Sequence, residues 1–432
     1  MRRREFLKYS AATAVSAPFV RAASADAGLV KVGVVGAKTG PLAPGAAVTH
    51  FPPHQLWAHE VNAHGGLKLK SGQAKVQLIE YDDHTQPPEA IKAVERLATV
   101  DKADWISGVY ATGFNLATAP TFAKYGYPQF AVACVTDQGP ALVKKYPNFF
   151  IFLQSTTAYA NGAIGVLKKL KDSGQIGNKV AVVNVGDDFG IELANAGRPL
   201  FKEAGLEIVY DKSYPLGTQD YAPVIKAAKA ANPDAFVAWS YPPDTFGLAD
   251  AAKIENLNVK AYYSAVGTAF QGFYQKNGAA VENVIGAGGV IESPQISDFY
   301  KRHKEVTGVD ADFWGSPFYY AMLQALTQAI ESVGSMDRVA IADYLRRNKF
   351  NTIVGEVSMP GQIIDKNYTV GQWQGGLFRA VAGVGFSDFA QVKLKTGWAI
   401  AVIGLTGVLI TLARLHLIFE AALCQSINTG VD

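Results

Sequence analysis

The chain contains few cysteines, few charged residues and little net charge. Only Cys134 and Cys424 are present among its 432 residues, so neither a disulfide framework nor a cysteine-rich metal site is expected. Charged residues make up 18% and hydrophobic residues 49%, which excludes a disordered chain and allows a large core. The net charge is +3, but the first 25 residues carry five positive charges and one negative charge. The remainder therefore has no basic field that would attract nucleic acid.

The sequence also lacks the short motifs of common catalytic chemistry. No G-x-S-x-G, H-E-x-x-H, Walker A, C-x-x-C or G-x-G-x-x-G pattern is present. The acidic pairs Asp82-Asp83 and Asp187-Asp188 are each followed by turn chemistry, so we expect them to cap or solvate loops. We predict no catalytic residue, no bound metal and no cofactor.

Four histidines lie close together near the N-terminus without an acidic or cysteine partner pattern. Their spacing alone is a weak signal for a metal site, and Pro52-Pro53 separates the first two. We expect them to face solvent; they are His50, His54, His59 and His64.

The first 25 residues are typical of an export signal. Residues 3–8 (RREFLK) form a twin-arginine pattern, and a small-residue stretch leads to Ala23-Ser24-Ala25, an A-x-A cleavage signal. A basic, disordered N-terminus is the alternative. The pattern predicts Tat export of a folded protein to the periplasm, with a mature chain that begins near Asp26.

An uncharged stretch covers residues 396–413 near the C-terminus. It reaches the lower length limit for crossing a hydrocarbon layer of about 30 Å. Its glycines and the lysines before it disfavour an anchor, because those lysines would lie on the exported side. Three alternatives stay open: a membrane anchor, a peripheral helix, or an atypical tail over residues 387–432.

Short apolar strands alternate with helices along most of the chain. Residues 31–36, 76–81 and 179–185 are rich in β-branched side chains, and Pro87-Pro88 opens a helix. The alternation starts again after about residue 150. This pattern predicts an α/β fold of two doubly wound lobes, in which ligands bind beyond the carboxyl ends of the strands.

Four motifs in order carry a family resemblance: VGVVGAKTGP (32–41), VNAHGGL (61–67), YDD (81–83) and DDFG (187–190). Together they resemble the periplasmic solute-binding proteins of branched-chain amino-acid-type ABC importers, the leucine/isoleucine/valine-binding family. The resemblance covers residues 30–381. It implies the type I periplasmic binding protein fold, whose two Rossmann-like lobes are joined by a three-strand hinge. Such a protein closes on a small solute, performs no chemistry and passes the solute to a permease.

The resemblance also implies the division of the chain into lobes. Crossovers are expected near residues 153, 292 and 354. Lobe one is then expected over 28–153 and 292–353, and lobe two over 154–291 and 354–386.

Nine residues match ligand-contact positions of the family. In lobe one, two loops match segments that hold a ligand carboxylate through hydroxyl and backbone N–H groups. In lobe two, two aromatic residues and one residue after a later strand match. Capping of the next helix is the alternative for both threonines, and the cysteine is expected to be a small packed thiol. The residues are Tyr110, Ala111, Thr112, Gly113, Cys134, Thr136, Phe189, Tyr241 and Val266.

Val266 is the departure that bears on the solute. Amino-acid binders of the family usually place an acid there to pair with the ammonium group, and a buried ammonium without a partner costs several kcal/mol. Asp187, Asp188 and Asp244 are alternative partners. The family resemblance, together with Val266 in place of the usual acid, predicts a hydrophobic or aromatic carboxylate as the solute. A branched-chain or other neutral amino acid, and a membrane-tethered sensory domain, are the alternatives.

Overall fold

The computed structural model describes residues 26–289, 291–366 and 369–398 of the protein. The strands in chain order are β1 (Asp26–Gly36), β2 (Leu67–Leu69), β3 (Gly72–Asp82), β4 (Trp105–Ile106), β5 (Gln129–Ala131), β6 (Phe149–Ile151), β7 (Lys179–Val185), β8 (Glu207–Tyr214), β9 (Ala235–Trp239), β10 (Ala261–Ser264), β11 (Ile285–Ala287), β12 (Lys349–Thr352), β13 (Gly355–Ser358), β14 (Val370–Gln374) and β15 (Leu377–Ala382). The α-helices are α1 (Ala43–Thr49), α2 (Phe51–Ala63), α3 (Pro87–Thr99), α4 (Thr112–Lys124), α5 (Gly139–Lys145), α6 (Thr156–Asp172), α7 (Asp188–Glu203), α8 (Ala222–Ala230), α9 (Pro242–Ile254), α10 (Gln271–Asn277), α11 (Pro294–Thr307), α12 (Gly315–Val333) and α13 (Arg338–Arg347).

Local signals explain several helix boundaries. Helix α3 begins at Pro87, whose fixed φ suits the first turn, and carries Glu89 where the helix dipole favours an acid. Asp187 caps α7, since its Oδ1 accepts a hydrogen bond from Gly190 N at 3.0 Å. Helix α12 ends at Gly334, whose φ of 72° is left-handed and favours glycine.

Lobe one is built around a four-stranded sheet in the order β2-β3-β1-β4. Strand β1 pairs in parallel with β3 and β4, and β2 is antiparallel to β3. Strands β5 and β6 form a second parallel pair. Helices α11 and α12, from much later in the chain, pack against α2. The carboxyl ends of β4 and β5 lead into the two loops that the sequence associates with a ligand carboxylate.

Lobe two is built around a seven-stranded sheet in the order β15-β14-β11-β10-β9-β7-β8. The pairs among β7 to β11 are parallel, and β14 and β15 add an antiparallel edge. Trp239 in β9 and Trp373 in β14 are fully buried in this lobe. The predicted α/β architecture of two parallel-sheet lobes is confirmed.

The chain passes between the two sheets three times, after β6, after β11 and before β14. The third passage lies later than the predicted residue 354. Strand β13 pairs with β12, and Ile364 N donates to Ile151 O of β6 at 2.9 Å. Residues 355–364 therefore stay with lobe one. The reason is that β13 pairs with β12 as a hairpin on lobe one, and the chain enters lobe two only after this hairpin.

Residues 390–398, which we call the C-terminal strap, lie along lobe two. Gln372 joins the strap through both ends of its amide, since Lys393 N donates to its Oε1 and its Nε2 donates to Lys393 O. Trp398 is 5% exposed, and its indole N–H donates to Leu257 O at 2.8 Å. Of the hydrophobic segment 396–413, only residues 396–398 lie within the described residues.

Two of the four clustered histidines differ from the expectation that they face solvent. His50 and His54 are fully buried in lobe one. His50 Nε2 lies 3.0 Å from Val35 O, and His54 Nδ1 lies 2.7 Å from His50 O. Burial lowers the pKa of both imidazoles, that of His54 to about 4, so both are neutral at pH 7. Burial of the two rings is possible because both find hydrogen-bond partners inside the lobe, and His54 Nε2 also lies 2.7 Å from Ser107 Oγ.

Candidate functional site

Two loops of lobe one come together at the carboxyl ends of β4 and β5. The hydroxyl of Thr112 accepts a hydrogen bond from Val135 N at 3.1 Å and lies 3.4 Å from Val135 O. The second contact is long, so the hydroxyl proton can turn to another acceptor at small cost. The structure thus brings the predicted residues Tyr110 to Gly113 beside the loop that contains Cys134 and Thr136.

The N-terminus of α4 presents its backbone N–H groups without a side-chain cap. Its N-cap is Ala111, whose methyl group cannot accept a hydrogen bond. Ala111 has φ 75° and ψ 153°, a left-handed conformation that costs about 1–3 kcal/mol for a residue other than glycine. Strain of this kind is retained where it positions backbone groups. The uncapped N-terminus is therefore suited to a carboxylate.

Cys134 is wholly buried in a small apolar cluster with Ala131, Phe149 and Ile151. Burial raises the pKa of the thiol, so it stays protonated and inert. This agrees with the expectation of a packed thiol. At this position the loop offers its backbone rather than the sulfur.

The lobe-two side of the site is an aromatic pair joined to an acid. The rings of Phe189 and Tyr241 stack with centroids 4.8 Å apart and planes at 28°. The Tyr241 hydroxyl donates to Asp187 Oδ2 at 2.9 Å. Burial raises the pKa of Asp187 to about 6. Asp187 was predicted to cap a helix, which it does, and it also holds the aromatic pair.

Val266 follows β10 and is buried, with no charge at this position. Its backbone O accepts from the Thr245 hydroxyl at 2.6 Å. Asp244, one alternative acid, is already engaged, because it accepts from Tyr221 OH at 2.9 Å and from Tyr241 N at 3.0 Å. Asp187 is engaged as well, by Gly190 N and by the Tyr241 hydroxyl, whereas Asp188 lies beside lobe one, with Oδ2 2.9 Å from a Cβ built on Gly113.

The two lobes touch through residues that sequence reasoning missed. Glu192 Oε1, on α7 of lobe two, accepts from the Thr136 hydroxyl and from Asp137 N, both at 2.9 Å. Asp137 in turn accepts from Thr157 N at 2.9 Å. Glu192 lies four residues after Asp188 on the helix that follows the DDFG motif, and this spacing was the available signal.

A largely apolar cavity of about 580 Å³ lies between the lobes. Pro44 and Val48 of lobe one and Pro242, Phe246 and Phe270 of lobe two line it. None of the nine predicted site residues lines this cavity. Tyr110 lies close to its wall, because a Cβ built on Gly45, the neighbour of Pro44, would lie 2.4 Å from Tyr110 Oη and 3.3 Å from Pro242 Cγ. Its volume is that of an ordinary small-molecule site.

A second apolar cavity, of about 330 Å³, lies beside the second and third passages between the lobes. Tyr300, Trp314 and Phe318 contribute to its wall. None of the nine predicted site residues lines it. Among the described residues, no group of three His, Cys, Asp or Glu side chains could hold a metal ion.

Comparison with known proteins decides the family. A family model described as "Periplasmic binding protein" matches residues 29–376, most of the chain. The chain belongs to the periplasmic binding protein family. The resemblance inferred from the sequence is thereby confirmed.

Individual relatives are distant but cover most of the chain. The Leu/Ile/Val-binding protein of Escherichia coli (strain K12) is 23% identical over 345 residues, which is 76% of this chain and 86% of that protein. A solute-binding protein of an ABC transporter from Rhodopseudomonas palustris BisB5, in complex with 3,4-dihydroxybenzoic acid, superposes with a TM-score of 0.71. It is 19% identical and covers 84% of this chain and 99% of its own. A branched-chain amino acid transporter substrate-binding protein from Streptococcus pneumoniae, in complex with isoleucine, has a TM-score of 0.70 and 19% identity, and covers 82% of this chain and 99% of its own.

The chain is thus a periplasmic binding protein. Its relatives are solute-binding proteins and not enzymes, which confirms the predicted absence of catalytic function. Family membership implies a periplasmic location. Within residues 26–398, as far as they are described, no helix has the length and apolar character needed to span a membrane.

Proposed function

We propose that this periplasmic binding protein captures a small hydrophobic or aromatic carboxylate between its lobes and delivers it to an ABC permease. The observation that carries the proposal is the apolar cavity between the lobes, which borders Tyr110 through Gly45. Its proline, valine and phenylalanine side chains suit a flat apolar body, and its polar side chains are Gln271, Gln275 and the ion pair of Lys304 with Asp310.

The uncapped N-terminus of α4 supports the carboxylate part of the proposal. Its N–H groups and the Thr112 hydroxyl are donors, and they lie on the lobe that carries Tyr110. Val266 supports the absence of an ammonium group, since a valine leaves that cation without a partner. We further propose that residues 1–25 direct Tat export and are removed near Asp26.

A neutral amino acid is the second candidate solute. The observation that favours it is the acidic pair at the start of α7, of which Asp188 lies beside Gly113 of lobe one. Either carboxylate would serve as the partner that Val266 does not supply.

Thermal unfolding of the mature protein with single solutes separates the two candidates. A solute at 100 times its dissociation constant stabilises the folded state by about 2.7 kcal/mol, which raises the midpoint by a few degrees. We expect benzoate, hydroxybenzoates or phenyl-substituted keto acids to raise the midpoint, and leucine and phenylalanine to leave it unchanged. The reverse pattern would overturn the aromatic carboxylate and assign the ammonium to Asp187 or Asp188.

Substitution of Thr112 tests the carboxylate grip. In Thr112→Val the hydroxyl is lost, and we expect affinity for the carboxylate solute to fall about tenfold, the scale of one hydrogen bond to a charged group. Thr112→Ser keeps the hydroxyl and should stay within about twofold of the wild type. Titration calorimetry gives both values. Equal affinities in all three proteins would remove this loop from the carboxylate site.

A further inference from the structure

Two acids of α7 face the two lobe-one loops that we assign to the solute carboxylate. Glu192 is half-buried, and its Oε1 accepts hydrogen bonds from the Thr136 hydroxyl and the Asp137 N–H. Thr136 itself is 1% exposed, so its hydroxyl has little access to water. One of the two predicted carboxylate-holding hydroxyls is thus already bound to a carboxylate of the protein.

Asp188 lies beside the other loop, residues 110–113. A Cβ built on Gly113 would lie 2.9 Å from Asp188 Oδ2, so the side chain adjoins the first turn of α4. That turn is the positive end of the helix dipole, which attracts a carboxylate. Asp188 and Glu192 are four residues apart on one helix, and such residues share a helix face.

Neither acid is neutralised by a basic side chain. In the part of the chain that the structure describes, no salt bridge includes Asp188 or Glu192. A solute carboxylate that enters the same loops therefore meets two like charges from the opposite lobe. Like charges repel each other, and the repulsion is weaker where one of them is exposed to water, as Asp188 is.

We propose that Asp188 and Glu192 are internal carboxylate ligands of lobe one, which compete with the solute for its carboxylate-holding loops and set its affinity. The proposal rests on the carboxylate solute proposed above. When the lobes close, the two acids lie at these loops and repel a solute carboxylate. Only a solute with a strong apolar contribution from the cavity therefore binds well.

The test uses amide substitutions, which keep the hydrogen-bond acceptors and remove the charge. Asp188→Asn, Glu192→Gln and the double variant are titrated with benzoate and with benzamide, its uncharged analogue. We expect the double variant to bind benzoate about tenfold more tightly than the wild type, with the larger share from the hydrogen-bonded Glu192. Benzamide affinity should change by less than about twofold, because it carries no charge to be repelled.

Glu203→Gln is the matched control. Glu203 is exposed at the far end of α7. The substitution therefore removes the same charge from the same helix at a position that does not contact lobe one. We expect it to leave both affinities unchanged. An equal gain in this control would show a general effect of net charge and would overturn the proposal.

The direction of the change decides the remaining outcomes. Weaker benzoate binding in the double variant, or no change, would show that the acids support the closed form and do not compete, and the proposal fails while the carboxylate solute stands. Benzoate binding that is gained only in the double variant supports both proposals. If no variant binds benzoate and Asp188→Asn weakens the binding of leucine, the acids serve an ammonium group, and both proposals fail.

Discussion

Asp187 combines two contacts that sequence reasoning treated separately. One carboxylate oxygen caps α7, and the other accepts the hydroxyl of Tyr241, whose ring stacks on Phe189. The sequence predicted the cap from the turn chemistry. The second contact depends on a residue 54 positions later, which comes within reach because Asp187 and Tyr241 follow the adjacent parallel strands β7 and β9.

The titration of Asp187 predicts how affinity depends on pH. Burial raises its pKa to about 6, so the carboxylate is charged at pH 7.5 and largely neutral at pH 5.5. A simple carboxylate solute stays ionised at pH 5.5, because its own pKa is roughly 4. We expect its affinity to rise about threefold from pH 7.5 to pH 5.5, since one like charge disappears.

Asp187→Asn is the control for this pH effect. Asparagine is an equally good helix cap through its Oδ1, and its Nδ2 can donate to the Tyr241 hydroxyl oxygen, so the fold should be kept. The dependence on pH should largely vanish in this variant. An affinity that falls toward pH 5.5 in the wild type would point to a cationic group on the solute instead.

At the scale of elements, the C-terminal strap is the part that sequence patterning treated least well. It was assigned to a hydrophobic tail over 387–432, yet residues 390–398 pack on lobe two. Side chain to backbone hydrogen bonds and two backbone hydrogen bonds, from Ala390 N to Ala380 O and from Lys395 N to Lys260 O, hold it in place of a regular strand ladder. Lys395 Nζ lies 4.0 Å from the centre of the Trp398 ring and donates to Ala280 O at 2.9 Å. Contacts of this kind leave no periodic trace in the sequence.

Trp398 gives a stability prediction for the strap. Its ring packs edge-on against Tyr262, with centroids 4.9 Å apart, and its indole N–H is bonded. We expect Trp398→Ala to lower the free energy of unfolding by about 3 kcal/mol, the lower end for loss of a buried aromatic ring. Urea unfolding without solute measures this change.

Val384→Ala is the comparison for the strap. Val384 is 61% exposed, and we expect a change within about 0.5 kcal/mol. Equal stabilities for wild type and Trp398→Ala would mean that the strap contributes nothing to the folded state. In that case lobe two would be complete at β15.

At the scale of the whole molecule, the two-lobe architecture was predictable because the sequence contains two successive alternations of short apolar strands and helices. Strand β7 begins and ends at the predicted residues 179 and 185, and α3 begins at the predicted Pro87. The third passage between the lobes was predicted at 354, but residues 355–364 pack on lobe one. Strands β12 and β13 pair with each other, so their residue pattern would be the same whichever lobe they packed on. The sequence therefore could not place the boundary.

The sequence by itself determined the α/β class, the order of strands and helices, and the family, because these depend on local periodicity and on short motifs in order. Only the tertiary structure decided that His50 and His54 are buried, that residues 390–398 pack, and that Glu192 reaches Thr136 across the cleft. Each of these depends on which surface another part of the chain covers. Burial and contact between distant residues arise when the lobes fold and meet, and a linear pattern of residue types does not record them.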